Sequence, residues 1–285
     1  MTSELRDAYL RRLGVETEPP SAAALDRLHR AHIERIPWET LWIHTGDRFE
    51  LDPASSAARI ASTGRAGYCY HLNGAFSWLL HSLGYSVHRH VGGVHGPDGI
   101  AVSDLTNHLV LTVTGLAAVD APDHAWYVDV GTGDALHGPI PLRVGPHEDG
   151  PFSVSLDSRS DGVVDWQLTN HDRGAFPGLA WQAATTELTA FELRHTELST
   201  SPTSRFVQWA VVQRRDSTGV DALRGISLFR VEHATTVRVI EDPNEYATAL
   251  GDIFGIALAD TTVLADVWAQ QHRRHEEWAQ RATHG

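Results

Sequence analysis

Gly64-Arg65-Ala66-Gly67-Tyr68-Cys69-Tyr70-His71-Leu72-Asn73-Gly74 carries the only cysteine in 285 residues. It stands just ahead of a helical pattern. Leu72, Phe76, Leu79 and Leu83 recur at helical spacing, and Gly84 takes the place of a C-cap glycine. Cys69 lies three residues before Leu72 and so shares the inward face of the first helical turn. A thiol there meets unpaired backbone N–H groups and the positive end of the helix dipole, which favour the thiolate. A lone cysteine is also commonly a small buried hydrophobe. This stretch alone leaves nucleophile and core filler open.

Upstream, the pattern is helical. Asp7 to Leu13 is amphipathic and ends at Gly14, and Pro19-Pro20-Ser21 supplies a linker and an N-cap for a helix over 22–35. Leu25, Leu28, His32 and Ile36 fall on one stripe, which makes His32 a packed histidine with a backbone partner. Pro37 ends that helix, Trp38 to Leu41 is less regular, and a further helix is predicted over 53–62.

Downstream, the period changes from helix to strand. Val87 to Val91 alternates, Gly92-Gly93 breaks the alternation, and 94–99 reads as a turn. Asn107 to Thr114 is a strand with His108, Val110 and Thr112 on one face. Ala125 to Val130 is a second, with Tyr127 and Asp129 sharing a face. Asp120, Pro122 and Asp123 make the connection a loop. The simplest antiparallel hairpin about that loop sets His108 directly opposite Asp129 on the same face. A one-residue slip would send them to opposite faces. Further strands are expected over 152–156, 163–169, 206–214, 225–231 and 235–240, with 174–181 irregular and 185–194 strand or short helix. Closing helices are expected over 244–254 and 261–279.

Composition narrows the classes of function. A formal charge of −13 argues against a nucleic-acid partner, whose phosphates are held mainly by Lys and Arg. One cysteine cannot form an intrachain disulfide, the first residues lack an apolar signal core, and no run approaches the ~18 apolar residues of a membrane span. A cytoplasmic protein without a membrane partner is expected. Of 18 histidines, His71, His81, His88, His90 and His95 crowd together. They straddle a helix and a strand and include no His-Glu-x-x-His pair, so no metal site is expected.

A lone cysteine at a helix start, with a histidine and an aspartate paired on a sheet, is the set that cysteine catalysis needs. A base takes the thiol proton, and a carboxylate fixes the tautomer of the imidazole and stabilises its charged form. Backbone N–H groups near the helix start would face a developing oxyanion. Taken singly, each residue has a plainer explanation, and the order Cys, His, Asp fits several families of cysteine enzyme.

The motifs are more specific than the order. Leu28 to Leu41, with its paired histidines and Ile36-Pro-Trp-Glu-Thr-Leu41, resembles the Ile-Pro-Phe-Glu-Asn-Leu segment of the arylamine N-acetyltransferases. Arg65-Ala-Gly-Tyr-Cys-Tyr-His-Leu-Asn73 resembles their Arg-Gly-Gly-Tyr-Cys-Phe-Glu-x-Asn nucleophile loop. Asn107-His108-Leu resembles their histidine strand, and Asp129-Val-Gly-Thr-Gly133 their Asp-Val-Gly-Phe-Gly turn. The likeness spans most of the first half. Later only Ser199 to Phe206 is similar to the family.

The resemblance implies an α+β fold with a cysteine-protease-like Cys-His-Asp arrangement. Residues 1–85 would form a helical bundle carrying the nucleophile, 86–190 an antiparallel β-barrel carrying His and Asp, and 191–285 an α/β lid. It implies Cys69 as nucleophile, His108 as base and Asp129 as its partner, with Trp38, Tyr68, Gly131, Thr132 and Gly133 binding substrate. It further implies no permanently bound cofactor. Acetyl-CoA or another acyl-CoA would be the co-substrate in a ping-pong transfer to an amine, hydrazine or hydroxylamine. A related branch makes amide bonds on polyketide or peptide chains held by a carrier protein, and stands as the alternative. A catalytically silent binding protein is disfavoured by the intact set. His71 replaces the family's Glu, Thr132 its Phe and Trp38 another Phe, so a different acceptor pocket is expected.

Overall fold

In a computed structural model, which describes residues 2–96, 105–119, 121, 124–134, 136–160, 162–258 and 260–284, the chain begins with helices. These are α1 (Thr2–Leu13), α2 (Ala22–Arg35), α3 (Leu41–His44), α4 (Pro53–Thr63) and α5 (Cys69–Ser82), with a two-residue strand β1 (Trp38–Glu39) after α2. Local chemistry sets their starts. The Ser21 side chain accepts from the Ala24 N–H, and Asp52 caps α4 ahead of Pro53. Gly64, at φ 72°, ends α4 in the left-handed region. Helix α5 is buried almost all round. Leu72, Phe76 and Leu79 meet Leu25, Leu28 and Ile60 on one side and Leu111 and Val113 of the sheet on another. His32 is buried as expected, but its Nε2 lies 2.8 Å from the Tyr9 hydroxyl rather than a backbone carbonyl.

The middle of the chain forms an eight-stranded, nearly closed antiparallel barrel. Its strands are β2 (Ser86–Val94), β3 (His108–Thr114), β4 (Ala125–Val128), β5 (Ile140–Pro141), β6 (Gly145–Asp149), β7 (Phe152–Ser158), β8 (Trp166–Thr169) and β9 (Gly178–Thr185). They are ordered β5-β4-β3-β2-β9-β8-β7-β6. Val110, Tyr127, Leu156, Leu168 and Trp181 form its interior, while Leu111 and Val113 on the other face of β3 meet the helices. Two expectations fail here. Strand β2 runs through Gly92-Gly93 with a register shift at that point, and residues 178–181, the second half of the stretch read as irregular over 174–181, belong to strand β9. The turn at 94–99 and the loop at Asp120, Pro122 and Asp123 lie partly outside the described residues.

A 3-10 turn (Leu188–Phe191) leads into α6 (Glu192–Thr200) and α7 (Arg205–Gln208). Strands β10 (Val211–Arg215), β11 (Val220–Arg224), β12 (Ser227–Val231) and β13 (Thr235–Val239) follow, with α8 (Pro243–Asp252) and α9 (Thr261–His284) against them. This antiparallel sheet has the order β1-β10-β11-β12-β13, so Trp38 and Glu39 from the helical segment form its first strand. Its core joins Val212 and Leu223 to Tyr246, Leu250 and Phe254. Among the described residues, no helix is long and apolar enough to cross a membrane.

Candidate active site

Two motifs of the first segment clasp each other and fix where α5 begins. The Glu39 N–H donates to the Gly67 carbonyl at 3.0 Å. The Glu39 carboxylate accepts from the Trp42 N–H and pairs with the buried Arg65 guanidinium at 3.1 Å. Burial raises the Glu39 pKa, and Arg65 works against that rise. Gly67 sits at φ 110°, and a Cβ there would meet His71 Nδ1 at 2.8 Å. Tyr68 is then the N-cap position of α5, with no side-chain cap, and Cys69 opens the helix at 5 % exposure. Its thiol is directed at the Asn107 carbonyl, 3.8 Å away.

His108 opens β3, 2 % exposed. Just before it Thr106 has φ 83°, a left-handed conformation that β-branched residues rarely adopt. Its N–H donates to the Gly92 carbonyl, and its own carbonyl accepts from the Tyr70 hydroxyl at 2.6 Å. The Asn107 side chain accepts from the Val94 N–H at 2.7 Å, which ties β2 to the start of β3. Strained backbone that its neighbours over-determine is a common companion of functional sites.

Asp129 follows β4 and is wholly buried. Leu111 pairs with Val128 and Thr112 with Tyr127, so the ladder continued would set His108 against Gly131 and Asp129 against Val110. The expected register is therefore wrong by two residues. A two-residue shift preserves the face, and the pair meets diagonally: His108 Nε2 lies 2.6 Å from Asp129 Oδ2. The same oxygen accepts from the Tyr127 hydroxyl at 2.8 Å. The other, Oδ1, accepts from Asn73 Nδ2 and from the Gly131 N–H, each at 2.8 Å. The Asn73 side-chain oxygen accepts from the Val130 N–H, and the Asp129 N–H donates to His29 Nε2 at 3.4 Å.

Burial disfavours a charged His108 ring, but the Asp129 charge and hydrogen bonds to Asp129 and Cys69 outweigh it, and its pKa rises to about 10. For Asp129 burial again favours the neutral form; His108, Asn73 and the Gly131 N–H overcome it and lower the pKa. The site thus joins the Cys69 sulfur, an imidazole that keeps its proton at neutral pH, and an ionised carboxylate.

A cavity of about 720 Å³ opens onto Cys69 and His108. Trp38, Gly131 and Thr132 line it, with Phe176 from the barrel and Phe206 and Gln213 from the last segment. Gly131 is required by close approach: a Cβ there would sit 2.8 Å from both the Cys69 Cα and Asn73 Nδ2. Gly133, at φ 81°, packs against Gln213 and is not in the described lining. Nor is Tyr68, which is fully buried, its hydroxyl 2.6 Å from His195 Nδ1. His71 is also turned away from the cavity, packed among Trp42, Phe49, Tyr68 and His195, and burial holds its pKa well below the ordinary value. Asn73, Tyr127 and His29 were not singled out from the sequence. Asn73 is one helical turn beyond Cys69, and Tyr127 shares the face of Asp129; those spacings were the available signals.

The N-acetyltransferase family profile matches residues 21–263. An arylamine N-acetyltransferase of Mycolicibacterium smegmatis is 30 % identical over 270 residues, which cover 88 % of this chain and 92 % of that one. Among solved structures, the arylamine N-acetyltransferase of Nocardia farcinica superposes with a TM-score of 0.82 at 30 % identity, covering 94 % of each chain. The Mycobacterium marinum arylamine N-acetyltransferase in complex with CoA superposes at 0.81 and 27 % identity, covering 93 % of this chain and 97 % of that one.

Proposed function

The chain belongs to the arylamine N-acetyltransferase family, and from that premise we propose that it moves an acetyl or short acyl group from acyl-CoA, through a thioester on Cys69, to the nitrogen of an arylamine, hydrazine or related amine. The carrying observation is that Cys69 and His108 line one open cavity, with His108 Nε2 held 2.6 Å from the buried Asp129 carboxylate behind them. In the first half-reaction the Cys69 sulfur, as the thiolate partner of protonated His108, attacks the donor thioester carbonyl. The carbon–sulfur bond to CoA breaks, and CoA leaves as the thiol with a proton from His108. In the second, the amine nitrogen attacks the Cys69 thioester, His108 takes the N–H proton, and the sulfur is released. Asp129 holds the imidazole in register and stabilises its charged form throughout. Backbone N–H groups of the first turn of α5 would receive the oxyanion.

In this reading residues 1–85 supply the nucleophile and 86–190 the histidine and carboxylate, while 191–285 wall the cavity through Phe206 and Gln213. Trp38 and Thr132 line the space beside Cys69 and would set which acceptors fit. The test is turnover. Release of CoA thiol from acetyl-CoA on adding a panel of arylamines and hydrazines, lost in Cys69→Ala, is expected. Turnover only with an acyl chain on a carrier protein would shift the reading to amide synthesis. Turnover with neither donor would end it.

A further inference from the structure

Asp129 Oδ2 serves two donors at once. His108 Nε2 reaches it at 2.6 Å and the Tyr127 hydroxyl at 2.8 Å. Tyr127 is wholly buried in the barrel interior, its ring stacked on Trp181 with centroids 4.9 Å apart and planes 20° from parallel. It sits two residues before Asp129 at the end of β4, so the strand itself aims the hydroxyl at the carboxylate. It is not among the residues lining the cavity. Burial, with the Asp129 charge beside it, raises the phenol pKa well above the ordinary value, so Tyr127 donates and does not itself exchange a proton. The other groups facing the pair are Cys69 from α5 and His29 from α2; burial lowers the His29 pKa to about 4, and it stays neutral.

We propose that Tyr127 is a positioning residue that acts through Asp129, sharing Oδ2 with His108 and so weakening the carboxylate's hold on the His108 proton. A donor to a carboxylate draws off negative charge that a second donor would otherwise meet in full. An imidazolium gripped too firmly gives up its proton to the departing thiol only reluctantly in the first half-reaction, and in the second it leaves too little of the neutral ring that must accept a proton from the amine. Sharing the oxygen keeps both steps accessible. This role rests on the acyl-transfer reading above.

The direct readout is the downfield Nε2–H proton resonance of His108, assigned by its loss in His108→Gln and followed against pH in the resting enzyme. Tyr127→Phe keeps the ring stack and removes the donor, so the His108 titration should move up by about one pH unit. The rate at which an arylamine deacylates the acetyl-enzyme should fall up to about tenfold near neutral pH and recover at higher pH, with the KM for acetyl-CoA unchanged. Site-specific 3-fluorotyrosine at 127 makes the phenol a stronger donor without altering the ring's shape. It should move the titration the other way, and it decides the matter if Tyr127→Phe does not fold. Unmoved resonances, or shifts of one sign in both variants, overturn the proposal. Failure of the acyl-transfer reading would appear separately, as a wild type that never forms an acetyl-enzyme.

Discussion

At the scale of the residue, Asp129 holds the site together. Its two oxygens accept from His108, Tyr127, Asn73 and the Gly131 N–H, and so tie α5, β3 and the turn after β4 to a single carboxylate. Asp129→Asn should fold, yet lose turnover on the order of 10⁴-fold, because an amide presents one acceptor and turns an N–H toward one of these donors. Steady-state rates beside a thermal melt check both halves of that prediction. The proton on His108 also links stability to pH. The folded protein keeps it to about pH 10 and the unfolded chain releases it near 6.5, so the stabilisation is complete below 6.5 and is lost as the pH rises toward 10. The wild-type denaturant midpoint should therefore fall over that window, and fall less in His108→Gln. Cys69, His108 and Asp129 were legible because chemistry and parity select them. A sheet face is decided by whether a count is odd or even, so the expected pairing survived a register error of two residues. Asn73 was less legible, since its hydrogen bonds depend on how α5 crosses the sheet, and Tyr127 shares the face of Asp129 without any pattern to say that its hydroxyl reaches the carboxylate.

At the scale of the element, the helices were readable from their caps and apolar stripes, and the strands less so. Gly92-Gly93 looks like a break, yet β2 continues because neighbours crowd that position. A Cβ on Gly92 would lie 2.8 Å from Val110 Cγ2 and 3.1 Å from the Ala180 carbonyl. Glycine there permits close packing at a bulge. Gly92→Ala should accordingly cost about 1–3 kcal/mol, read from the shift in denaturant midpoint. Strand β9 was hidden for a related reason. Gly178 to Trp181 is buried on both faces, so it carries no alternation to recognise. Helix α6 was ambiguous because none of its residues is buried, leaving no apolar stripe to read.

At the scale of the molecule, a buried ion pair links the barrel to the last sheet. Arg215 on β10 reaches the Asp149 carboxylate on β6 at 2.8 Å and also donates to the Asp149 and Asp134 carbonyls. Burial lowers the Arg215 pKa, and the neighbouring aspartates counter it. Arg215→Met would leave the Asp149 charge buried without its cation, and should destabilise the protein by about 3–5 kcal/mol in chemical denaturation. Nothing in the sequence paired these residues, which lie 66 positions apart. The same sheet brings Gln213 to the cavity and takes Trp38 and Glu39 as its first strand, so the cleft beside Cys69 is walled by the helical segment, the barrel and the last segment together. The chemistry proposed for that cleft comes down to one covalent bond. Intact mass is measured after mixing the protein with acetyl-CoA and no amine. The expected result is a single acetyl group on the wild type, mapped to the peptide carrying Cys69 and missing from Cys69→Ala. A wild type that stays unmodified with every short acyl-CoA, or an adduct that persists in Cys69→Ala, would contradict it.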